Sequence, residues 1–205
     1  MIEYIREVDS IKGSKEQENN ILQYKKVSGV WILLGKEEGN NSLVCLQVAK
    51  TINIGDEIAR DISYLKLENY EPVSKTDNLD PEKKYINQFG EYKFSYKIYQ
   101  DRTKELYKDI AEKYEDLTFI CVAHGEELKD DRLRKDIEKY VAYKTLCRYW
   151  VNGRPYKKGK SKEEISIIKK ACKDECTSLL EKIRNKYHDK TDSLDEFLNG
   201  LFPEK

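Results

Sequence analysis

Between positions 139 and 162 the chain carries Lys139, Lys144, Arg148, Arg154, Lys157, Lys158, Lys160 and Lys162, and not one Asp or Glu. Tyr140, Tyr143, Tyr149, Trp150 and Tyr156 are interleaved with them. Cations in such a run neutralise phosphates and release counterions, while aromatic faces stack on bases or pack beneath a backbone. The chemistry on offer is the holding of a nucleic acid, with DNA the expected partner. The plain alternative is a solubilising outer face whose tyrosines pack inward. Other chemistry is thinly supplied. The five cysteines, Cys45, Cys121, Cys147, Cys172 and Cys176, are odd in number and lack a framework spacing, so they read as reduced thiols. Cys172, Cys176 and His188 do not have zinc-finger spacing. Cys121 and His124, three apart on an expected strand, would point to opposite faces, and there is no glycine-rich phosphate loop, HExxH or GxSxG.

Composition bounds the setting. A chain of 205 residues, 39% hydrophobic, can bury one principal core and a helical appendage. The formal net charge is zero, with 38 basic against 38 acidic residues, which on its face gives no sign of a polyanionic partner. The distribution reverses that: positions 129 to 190 hold 19 basic and 10 acidic residues, so the remainder carries the matching negative excess. The longest apolar stretch, around Val30 to Leu34, is far short of the roughly 20 residues needed to cross a bilayer. Charges in MIEYIREVDS interrupt any secretory signal, and a cytoplasmic location without membrane contact is the expectation.

The elements that must position these groups follow from periodicity. Positions 1 to 26, with Ile2, Ile5, Val8 and Ile11 three apart, read as a short helix or irregular arm. VSGVWILLG (27–35) and SLVCLQVA (42–49), joined by KEEGNN, read as a β-hairpin. Ile58, Ile62 and Leu65 then define one helix face, with Asn53 and Gly55 as start signals. Positions 68 to 100, rich in turn formers and Tyr, read as an insertion. A helix over about 101–114 leads to the strand LTFICVA (117–123), and a long helix over about 130–150 carries Leu133, Ile137, Tyr140 and Val141. Further helices fit 161–187, where Ser161 and Glu164 have the capping-box spacing, and 192–201. The expected fold is mixed α/β, a small sheet of three or more strands flanked by helices, with a helical C-terminal extension over 155–205.

This order, together with particular residues, resembles the GIY-YIG nuclease family. Gly29-Val30-Trp31 stands where that family has its GIY triplet, and Val44-Cys45-Leu46-Gln47 where it has YIG and a polar residue. TINIGDEIARDI (51–62) is similar to the following segment and first helix, and IEKYVAYKTLCRYWVNGR (137–154) to the helix and loop that carry a metal-binding Glu and an Asn. The resemblance covers about 27–154, interrupted by the insertion. It implies a metal-dependent DNA endonuclease in which Trp31, Arg60, Glu138 and Asn152 occupy catalytic positions. Glu138 would bind one Mg2+ or Mn2+, and Arg60 would steady the phosphate.

The departures have physical consequences. Trp31 and Val44 stand where the family has tyrosines; an indole N–H cannot take a proton from water, and Val44 offers no polar atom. The family's arginine falls near Glu57, with Arg60 almost one turn on. Each surviving residue also has a plain role: Glu138 four after Arg134 as an ion pair, Asn152 before Gly153 as a helix-ending turn, Trp31 as core, Arg60 as a partner of Glu57. Three functions stay open: the endonuclease, a nucleic-acid-binding module of the same ancestry without hydrolysis, and a protein-interaction domain meeting an acidic partner.

Overall fold

The computed structural model describes residues 6–10, 24–37, 39, 42–65, 84–86, 92–148, 161–187 and 191–202. The fold is mixed α/β with C-terminal helices, as the periodicity implies. The chain forms two compact units, Met1–Glu57 with Tyr114–Lys205, and Ile58–Lys113 inserted between those two parts.

The first unit is organised by strand β2 (Gly29–Glu37), whose apolar run is long enough to bury both of its faces. It pairs antiparallel with β3 (Leu43–Thr51) on one side and with β6 (Tyr114–His124) on the other. The N-terminal strand β1 (Arg6–Ser10) pairs antiparallel with β6, giving the order β1-β6-β2-β3. Residues 6–10 are therefore a strand and not the helix or irregular arm expected of them; the edge of β6 supplies the hydrogen bonds that the three-residue spacing concealed. Backbones crowd where β2 begins: a Cβ on Gly29 would lie 2.2 Å from the Ala123 carbonyl oxygen. After β3 comes helix α1 (Ile54–Leu65), whose Asp56 N–H donates to Asn53 Oδ1 at 3.3 Å. The same oxygen accepts from the Lys26 N–H at 2.9 Å.

One sheet face carries Val30, Ile32, Leu34, Val48, Ile120 and Val122. Against it pack α3 (Asp131–Thr145), α4 (Lys162–Tyr187) and α5 (Thr191–Leu201) through Leu133, Ile137, Val141, Leu179, Ile183, Leu194 and Leu198. The C-terminal helices are thus part of the main core and not an appendage, because their apolar stripes complete the burial of α3. Complete burial of a Leu or Ile side chain is worth about 1.5–3 kcal/mol, so the last two helices contribute substantially. Helix α3 starts on Asp130, whose side chain accepts from the Arg132 N–H at 2.8 Å. It ends at Thr145, five residues before the expected limit, because Leu146 turns left-handed at φ 52°.

In the second unit, the remainder of α1 is followed by a short antiparallel pair, β4 (Lys84–Ile86) with β5 (Tyr92–Ser95), and by α2 (Tyr96–Lys113). Its bounds, 58–113, are wider than those of the expected insertion. The alternating YKFSYKIY stretch divides, its first four residues forming β5 and the rest opening α2. Tyr107 and Ile110 are fully buried on α2, with the Tyr64 ring 6.2 Å from that of Tyr107.

Candidate functional site

Glu138 lies on α3, which is tied to β3 at both ends. Lys50 Nζ donates to Asp131 Oδ1 at 2.7 Å near the start, and the Arg148 N–H reaches the Cys45 carbonyl at 3.1 Å beyond the end. Glu138 follows Asp131 by seven residues and so shares its helix face, the one toward the hairpin. It is only 4% exposed. Arg134, four residues earlier, is also buried; it donates to the Leu128 carbonyl and, at 3.2 Å, to Asp131 Oδ1. Its Nε–H is buried without a partner.

These surroundings do not fit Mg2+ or Mn2+ at Glu138. A hard divalent cation held by one carboxylate keeps several of its waters, and a side chain 4% exposed leaves them no space. A buried guanidinium one turn away on that helix face opposes a second positive charge. Among the described residues there is no group of three or more His, Cys, Asp or Glu side chains able to hold a metal ion.

Trp31 is one residue out of step with Val30 and Ile32, so it turns to the sheet face opposite α3. There it is fully buried, edge-on to Phe119 with ring centroids 5.3 Å apart. Its Nε1–H has no hydrogen-bond partner. The sheet therefore separates Trp31 from Glu138. Arg60 belongs to the second unit, where its Nε donates to Asp61 Oδ1 at 3.1 Å. Asn152 lies outside the described residues.

Those of the eight basic positions that are described do not share one face. Lys139 and Lys144, five residues apart on α3, point about 140° apart around the helix axis. Lys139 Nζ meets Glu175 of α4 at 2.5 Å and lies 5.4 Å from the centre of the Tyr143 ring. The bond to Glu175 raises the Lys139 ammonium above its ordinary range. Lys144 Nζ meets Asp195 of α5 at 3.1 Å, and Asp195 also accepts from the buried Tyr140 hydroxyl and, at 3.1 Å, from Asn199. Burial alone would raise the Asp195 carboxyl; those bonds outweigh it and leave it below the ordinary value. Arg148 pairs with Glu37 and donates to the Tyr114 hydroxyl at 3.1 Å. Lys162 is exposed at the start of α4, and Arg154, Lys157, Lys158 and Lys160 fall outside the described residues.

The partners Glu37, Glu175 and Asp195 are what reading along the chain misses. An acid-free stretch is recognised from neighbours in sequence, whereas these three carboxylates arrive from β2, α4 and α5. For Glu37 and Asp195 the only signal in the sequence is the negative excess outside 129–190, and Glu175, inside that segment, has none. The cysteines are all free, and burial drives the thiols of Cys121 and Cys176 up to about 12. No helix among the described residues is long and apolar enough to cross a membrane. No protein-family model matches the chain, and no curated protein or solved structure shows significant similarity to it.

Proposed function

We propose that this chain is a nucleic-acid-binding module built on a GIY-YIG-like scaffold, and that it holds DNA without hydrolysing it. The order hairpin, helix, returning strand and long helix supports the resemblance. The observation that carries the loss of hydrolysis is Trp31: no atom of it reaches solvent, so nothing at that position can activate a water or meet a phosphate. The closed environment of Glu138 agrees.

The binding half of the proposal rests on the basic segment entering α4. Lys139, Lys144 and Arg148 already have carboxylate partners, and the proposal places phosphates on the rest of the acid-free stretch, Arg154, Lys157, Lys158, Lys160 and Lys162. Five such contacts give a plot of log affinity against log salt with a slope of about −4.5, and further contacts would steepen it. The deciding experiment incubates the protein with supercoiled and linear DNA, with and without Mg2+ or Mn2+, beside Glu138→Ala. Salt-dependent retention without nicking is expected. Metal-dependent nicking that the substitution abolishes would restore the endonuclease, and failure to retain DNA at about 50 mM salt would remove both functions.

A further inference from the structure

Helix α4 distributes its charge unevenly. Lys162, Ser166, Lys169, Lys173, Thr177 and Arg184 recur at three-, four- and seven-residue steps, which places them along one flank of the helix. All six are exposed. Lys170 borders the same flank. Of the acids of the helix, Glu164 and Glu175 lie on the far side, while Glu163, Asp174 and Glu181 border the flank beside Lys170. The anchoring stripe is separate: Cys172, Leu179 and Ile183 are buried, so the C-terminal half of α4 is fixed to the body. In its first two turns Lys162, Glu163, Glu164, Ser166 and Ile167 are exposed, Ile167 at 70%. The N-terminus is held by a reciprocal capping box, in which the Ser161 N–H donates to Glu164 Oε2 at 2.8 Å and the Glu164 N–H to Ser161 Oγ at 3.2 Å. The flank is thus carried on a rigid rod, and little ordering entropy is lost when it is occupied.

We propose that this flank, from Lys162 to Arg184, is a track for the phosphate backbone of duplex DNA and continues the basic segment that enters the helix. It rests on the nucleic-acid-binding reading and extends it to residues outside the 139–162 stretch. Its 22-residue span is about 33 Å, long enough to cross the backbones on both sides of a groove. Ammonium and guanidinium groups interspersed with hydroxyls, with carboxylates only along one border, suit contact with backbone phosphates. An acidic protein would also be attracted but lacks the regular spacing of phosphates.

The test is fluorescence anisotropy of a labelled duplex of about 20 base pairs titrated with the full chain over a range of NaCl. Adding Lys169 and Lys170 to the five cations before them predicts a slope of about −6.3. Lys169→Gln with Lys170→Gln should make it shallower by about 1.8 and weaken binding about 60-fold near 0.1 M salt. Lys182→Gln is the matched control, since Lys182 lies off this flank and pairs with Asp136 at 2.7 Å; it should leave the slope unchanged. An unchanged slope in the double variant would overturn the track while leaving the reading of the 154–162 segment intact. Equal losses in the control would reduce the effect to net charge and overturn it likewise. Displacement of the duplex by polyglutamate at equal charge concentration would transfer the flank to an acidic partner. No duplex binding by the parent chain would remove the track and the reading together.

Discussion

Trp31→Phe measures whether the tryptophan at the head of the hairpin is wholly a core residue. Two opposing effects act on the variant. Removing a buried N–H that has no partner recovers about 1–3 kcal/mol of desolvation. The smaller ring leaves a void of roughly 40 Å3, which at ~24 cal/mol per Å3 costs about 1 kcal/mol. Lost apolar burial costs about another 1 kcal/mol. The edge-on contact with Phe119 survives the exchange. The result should lie within about 1 kcal/mol of the parent, whereas Trp31→Ala should lose about 3–5 kcal/mol. Urea denaturation followed by far-ultraviolet circular dichroism reads both, with an unchanged m-value as the check on compactness. The salt slope for DNA should not move in Trp31→Phe. A loss above about 2 kcal/mol would mean that the indole N–H is bonded after all, and the reasoning from an orphaned donor would fall. Complete loss of DNA binding in a folded Trp31→Phe would refute its assignment to the core.

Three further outcomes follow from the geometry. Tyr140→Phe removes the hydroxyl that reaches Asp195 from a fully buried ring and should cost about 1–3 kcal/mol in the same urea assay; a neutral result would mean that Lys144 and Asn199 suffice to hold the carboxylate. Asp131 is held well below the ordinary carboxylate range, chiefly by its bond from Lys135 and then by that from Lys50. The stability it provides is therefore complete above its unfolded-state value and disappears as pH falls through the folded-state one. The stability difference between the parent and Asp131→Asn should be constant above about pH 5 and shrink below about pH 4; a difference independent of pH would refute the linkage. Native protein at pH 8 should react slowly or not at all with a thiol reagent, because four of the five cysteines are buried and the half-buried Cys176 is shifted up to about 12. All five should react in denaturant, and a fast-reacting native thiol would contradict that protection.

What the sequence reveals depends on how local its cause is. Helix α4, expected over 161–187, forms at Lys162–Tyr187 because its start is set within four residues by Ser161 and Glu164. Asn53 marks the start of α1 for the same reason. The hairpin and the burial of Trp31 are legible in an apolar run with only a short polar interruption. Strand β1 is not, since its cause is the edge of β6, more than a hundred residues away, with Arg6 opposite Cys121. The end of α3 at Leu146 is also hidden, because nothing in the residue type announces a left-handed leucine. The charge reading was partly legible: the basic excess is real, but its members on and just beyond α3 are matched by carboxylates that only folding delivers. The opposition of Trp31 and Glu138 across the sheet follows from strand parity once the face packed by α3 is known, and the chain alone does not state which face that is.

The inserted unit has a consequence for biosynthesis. Strand β2 is finished on one side by its neighbour β3, but its other partner lies 77 to 95 positions along the chain, from Glu37 opposite Tyr114 at one end to Gly29 opposite His124 at the other, with the insertion emerging in between. At about 5–20 residues per second, the nascent hairpin presents an open edge of Val, Trp, Ile and Leu for roughly 4–15 s before β6 leaves the ribosome, and the last core side chain, Leu198, follows later still. During that interval the hairpin offers an unpaired apolar edge for wrong pairing. Production should therefore depend on translation rate and chaperone supply far more than the stability of the finished sheet would suggest.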